Sequence, residues 1–118
     1  MLYRIVHRCP ESTADESALG EFETQRARGI DEPIEAAGPE ALWSWRFGVS
    51  TYSTLSKARK RAKASVNGPR PLGQFVATLH IPVLGAPILI VKTGGSNHFD
   101  LVGSASAILA TVVNCVGV

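Results

Sequence analysis

The sequence predicts an α+β fold: a single compact domain with a mixed or antiparallel sheet of about five or six strands and short flanking helices. Three observations lead there. The chain has 118 residues and is 45% hydrophobic, the size and composition of one domain with a real core. Apolar residues alternate in short runs at the start and through the second half, as strands require. Helical segments gather after the first strand, with one late exception. That layout argues for α+β over a strict βαβ alternation, and no repeat at about 20–50 residues is visible.

The elements follow in order. In LYRIVHR, residues 2–8, Leu2, Arg4, Val6 and Arg8 fall on one face of a strand and Tyr3, Ile5 and His7 on the other, and Pro10 ends it. Residues 13–28 have a helical composition: Thr13 is placed to cap, Asp15 and Glu16 suit the first turn, and Gly29 is a stop. Gly20 costs about 1 kcal/mol relative to Ala in a helix interior, so two shorter pieces also fit. Residues 29–39, with two glycines and two prolines, form a polar connector. PEALWSWRFG, residues 39–48, suits a short helix with Pro39 in its first turn and Gly48 at its end. VSTY is a brief extended piece.

Ser53 or Thr54 caps the next helix, which runs to about residue 65 before Asn-Gly-Pro at 67–69 stops it. Leu55, Ala58, Ala62 and Val66 line one narrow apolar face, and the small alanines let the helix lie close to a sheet. In residues 73–81, Phe75, Ala77, Leu79 and Ile81 share one side of a strand. Residues 81–91 are cut by Pro82, Gly85 and Pro87 and read as turn and strand. PILIVKT, residues 87–93, is nearly all apolar and predicts a central, buried strand. HFDLVG is a third, shorter strand. Ser104 caps a short helix over ASAILA, and TVVNCVGV closes the chain as a strand.

No apolar run approaches the ~18–20 residues of a membrane span, so no membrane partner is expected. The first residues lack the charged start and apolar stretch of a signal peptide, which predicts a cytoplasmic protein. In that reducing compartment Cys9 and Cys115 are expected as free thiols, although they could pair if they met in space. The net charge of +2 hides a split. Residues 1–40 carry four arginines and nine acids (4 − 9 = −5), while residues 41–118 carry eight cations and only Asp100 (8 − 1 = +7). Such a division marks a nucleic-acid surface or a self-complementary homo-oligomer, or else two parts that neutralise each other within one fold.

The densest charge lies on the helix over 54–65, where Lys57, Arg59, Lys60, Arg61 and Lys63 fall within seven residues. Two readings stand: a solvated exterior, or a grip for nucleic-acid phosphates. Trp43, Trp45, Phe47 and Tyr52 lie just before it and offer either core packing or a stacking platform. KTGGSNH, residues 92–98, is a glycine hairpin turn or a loop in which Lys92, Thr93, Ser96 and His98 meet an anion; it lacks the full phosphate-loop pattern. His7, His80 and His98 are scattered and no metal-ligand spacing occurs, so no metal is expected. Ser50, His98 and Asp100 supply the residue types of a nucleophilic triad, without a nucleophile elbow.

LYRIVH near the start, FGVSTYSTLSKARKRA in the middle, and VATLHIP, KTGG and HFDLVG later resemble, in that order, small ADP-ribosyltransferase-like domains. The resemblance implies NAD as cofactor, with Arg4 or His7 contacting it from the first strand. It places Ser50, Thr51 and Tyr52 at the nicotinamide pocket. It also implies a late Glu that orients the ribose or activates the acceptor, and no Glu follows Glu40. Asp100 and His98 are then the candidate catalytic groups, in a toxin-like enzyme or a degenerate binding module. The chain is also similar to small uncharacterised bacterial proteins that close with a comparable helix and strand. The expected partner is a nucleotide or other phosphate-bearing ligand.

Overall fold

The structure is a computed structural model and describes residues 1–82 and 87–118. Six strands are β1 (Leu2–Val6), β2 (Val49–Tyr52), β3 (Phe75–Leu79), β4 (Leu89–Lys92), β5 (His98–Val102) and β6 (Val112–Gly117); three α-helices are α1 (Pro39–Phe47), α2 (Leu55–Ser65) and α3 (Ala105–Leu109). The strands form one sheet in the order β4-β5-β2-β1-β3-β6, and every pairing is antiparallel. The α+β class and the strand number agree with expectation.

Strand alternation sends residues to two cores. Val6, Phe22, Val49, Ala77, Leu79, Leu101, Ile108 and Leu109 pack on one face, under α3 and the 3₁₀ segment Glu16–Phe22. Phe75 and Ile81 lie beside them, as the alternation in 73–81 required. Ile5, Val76, Ala58 and Ala62 pack on the other face, where the two alanines are fully buried and seat α2 against the sheet. Thr54 caps α2 by accepting from the Lys57 backbone N–H at 3.1 Å.

Four expectations need correction. Residues 13–28 do not form an α-helix: only a 3₁₀ segment appears, capped by Asp15 rather than Thr13. Local hydrogen bonds compete with helix there. The Asp15 carboxylate accepts from Glu11 N and Ser17 N, and the Glu21 carboxylate accepts from His7 N and Arg8 N. Strand β4 is not central but an edge, with Leu89 60% and Ile90 43% exposed. The turn expected just before it falls on residues 83–86, outside the described residues. Val66 caps the end of α2 and is exposed; Ser65 takes the buried place, donating to Ala62 O and accepting from Leu72 N. Finally, Cys9 and Cys115 are not free thiols but a disulfide, their Cα atoms 5.8 Å apart across a sequence separation of 106. Disulfides persist in oxidising surroundings. Among the described residues no helix is long and apolar enough to cross a membrane.

Candidate functional site: a cationic cleft at the break between two strands

Strands β1 and β2 pair at a single position, Tyr3 opposite Tyr52. Beyond it a side chain replaces the ladder. Arg4 Nη1 donates to the Ser50 carbonyl oxygen and Arg4 Nε to the Glu21 carbonyl oxygen, each at 2.8 Å. Arg4 is only 8% exposed, so two backbone acceptors that would otherwise be orphaned are satisfied by one buried guanidinium. Burial, with Arg28 close by, lowers its pKa to about 10; Glu21, Tyr52 and Asp100 act in the opposite sense.

A cleft of about 590 Å³ opens at this break. One wall is α2, which presents Lys57 and Arg61. The opposite wall is the β4–β5 turn, residues 94–97. Arg4, Ser50, Tyr52 and His98 form the floor, with Arg28 and Gln25 at the rim. Four cations line the cleft, and among the described residues no Asp or Glu does. Tyr52 and His98 meet edge to face, ring centroids 5.3 Å apart. Partial burial raises the Tyr52 pKa, and Arg61 opposes that rise.

The turn wall is fixed by neighbours on three sides. Gly94 takes φ +61, a conformation L side chains rarely adopt, and a Cβ there would sit 3.4 Å from the His98 ring. Its N–H donates to Glu40 Oε1 at 2.6 Å. Ser53 holds Asn97 twice: its N–H donates to Asn97 O and its hydroxyl to Asn97 Oδ1, both at 2.9 Å. The hairpin turn is therefore formed as read. Of the four anion candidates in 92–98, Ser96 and His98 line the cleft. Lys92 instead donates to Gly95 O and lies over Phe99, and Thr93 is buried.

Asp100 lies beneath the floor with no exposed surface. Its carboxylate accepts from Ser44 Oγ at 2.5 Å and from Ser50 Oγ at a long 3.5 Å. Gly48 makes room for it, since a Cβ there would stand 2.6 Å from the carboxyl carbon. His98 shares its strand face with Asp100, yet its Nδ1 pairs with Thr93 Oγ1 at 3.0 Å and Thr93 O at 3.1 Å. The His98–Asp100 hydrogen bond and the Ser50–His98–Asp100 triad considered from sequence are not formed.

The remaining candidates divide. Thr51 is buried on the opposite sheet face, its hydroxyl donating to Phe99 O, so it is no cleft wall. His7 is exposed and joins Glu21 through its backbone only. Arg59, Lys60 and Lys63 border a separate depression with Leu55 and Ser56, so the cations of the basic helix divide between two sides. Of the aromatic residues preceding it, only Tyr52 reaches the cleft; Trp45 donates to Ile30 O, and Trp43 packs against Phe47. Sequence reasoning missed Arg28, Gln25 and Asn97. Arg28 carried one signal: it precedes Gly29, whose φ of +78 turns the chain back.

Comparison with family models, with curated proteins and with solved structures returns no match.

Proposed function

We propose that the cleft binds a nucleotide or related phosphate-bearing ligand, NAD among them, in an ADP-ribosyltransferase-like manner and as a binding module. The observation that carries this reading is the gathering of Arg4, Arg28, Lys57 and Arg61 around one cleft that, among the described residues, no carboxylate lines. Like charges brought together in a partly desolvated site repel, and an anion bridging them relieves that repulsion. Forked guanidinium groups suit phosphate oxygens. The Tyr52 and His98 rings offer an aromatic surface beside the cations, which a nucleotide uses and a bare inorganic anion does not.

Burial of Asp100 favours binding over turnover. A transferase stabilises positive charge on the reacting ribose with a carboxylate that faces it. The only late acid here is covered by Ser50 and tied to Ser44.

A thermal-shift titration with NAD and ADP at low ionic strength tests the reading. A ligand at ten times its Kd stabilises the native state by about 1.4 kcal/mol. With unfolding entropy of about 250 cal/mol/K for this length, that is roughly 6 °C. The rise is expected in the wild type and absent in the double variant Arg28→Ala, Arg61→Ala. No shift with either nucleotide at millimolar concentration refutes the reading. Nicotinamide release from NAD by the wild type refutes the binding-module part of it.

A further inference from the structure

Successive helical residues turn by about 100°, which orders the cations of α2 around its axis as Arg59, Lys63, Lys60, Lys57 and Arg61. Ala58 and Ala62 lie between the two ends of that arc and are buried against the sheet. The cations therefore wrap the whole outer side of the helix. The arc begins at Arg59, whose Nη2 lies 3.5 Å from Gly117 O at the end of β6, and it ends at Arg61 inside the cleft.

No carboxylate among the described residues forms an ion pair with this arc. Among the described residues the one ion pair within 4.0 Å joins Arg8 to Asp15, both from the acidic first third. The acidic and basic parts, among the described residues, do not cancel through ion pairs. Arg59 and Lys63 lie about 6 Å apart along the axis, so the arc offers several cations to one extended strand of phosphates. At its end the arc meets the aromatic pair of Tyr52 and His98, which a base can stack on. Exposed large apolar residues, which a membrane surface would engage, are absent from the arc; Val66 stands alone beyond the helix end.

We propose that the outer face of α2 docks a single-stranded nucleic acid whose phosphate-bearing end enters the cleft. The placement of the end rests on the cleft being a phosphate site; the docking along α2 rests on the cation arc.

Fluorescence anisotropy of a labelled oligo-uridylate, with and without a phosphate on its free end, tests both parts across a salt series. The wild type is expected to bind, and to bind the phosphorylated strand more tightly. Lys60→Glu with Lys63→Glu changes two exposed residues outside the cleft. It is expected to weaken binding by about tenfold or more and to reduce the salt slope by about 1.4, at roughly 0.7 per lost contact on a single strand. The ADP-induced rise in melting temperature should persist in that variant. Arg28→Ala with Arg61→Ala should remove the ADP response and the preference for a phosphorylated end. No oligonucleotide binding by the wild type at low salt overturns the proposal, as does binding unchanged by the lysine reversal. Binding to phosphatidylserine vesicles with none to the oligonucleotide assigns the arc to membranes and also overturns it. Equal affinity for phosphorylated and unphosphorylated strands overturns the placement of the end. A wild type that binds the oligonucleotide but shows no ADP-induced rise in melting temperature would instead refute the nucleotide reading of the cleft.

Discussion

Removing the Cys9–Cys115 disulfide should destabilise the protein more than any surface substitution. The bond closes a loop with a sequence separation of 106, nearly the whole chain. Cross-linking such a loop removes about 16 cal/mol/K of entropy from the unfolded chain, which is about 4.8 kcal/mol at 25 °C in the chain-entropy model. Single domains are stable by only about 5–15 kcal/mol, so the loss takes a third or more of the total. Divided by an unfolding entropy of about 250 cal/mol/K, it lowers Tm by about 19 °C. Both cysteines are half-buried, so serine at each position adds little packing cost. Urea unfolding of the air-oxidised wild type, the reduced wild type and the Cys9→Ser, Cys115→Ser variant gives the comparison. The last two should coincide and fall below the first. Equal midpoints for all three, or two reactive thiols per chain in oxidised protein unfolded without reductant, would refute the reasoning.

Two further substitutions probe the cleft floor. Gly48→Ala forces a methyl against the buried Asp100 carboxyl and should cost about 1–3 kcal/mol in urea unfolding; an unchanged midpoint would mean that Asp100 is free to move. Arg4→Ala orphans the carbonyls of Glu21 and Ser50 and should cost about 1–3 kcal/mol for each that water cannot reach, whereas a fold as stable as the wild type would show that Arg4 serves the ligand and not the strand break.

Much of the fold was legible because its signals are local. Pro39 and Gly48 bracket α1, Thr54 caps α2, and Ser104 caps α3 by accepting from Ala107 N. What failed depends on distant partners. The apolar run 87–93 reads as buried, yet sheet order leaves β4 at an edge, and nothing in the run itself encodes its neighbours. The 3₁₀ segment is set by Glu21 reaching back to residues 7 and 8 and by Arg4 reaching forward to Glu21 O. The cysteines meet only because β6 lies next to β3 and β3 next to β1. At the site, helical spacing separated the apolar from the charged side of α2, but could not say that Lys57 and Arg61 turn into a cleft while Lys60 and Lys63 turn away. Arg4, Ser50, Tyr52 and His98 were found from sequence and do converge. Thr51 and His7 do not, because strand alternation and the end of β1 direct them elsewhere.

Amide chemical-shift mapping on isotope-labelled protein during ADP titration tests the cleft most directly. The account predicts saturable shifts at Ser50, Tyr52, Gly94, Gly95, Asn97 and His98, which surround the four cations, and their disappearance when Arg28 and Arg61 are both alanine. Shifts confined to other surfaces, or a spectrum unmoved by millimolar ADP at low salt, would contradict it.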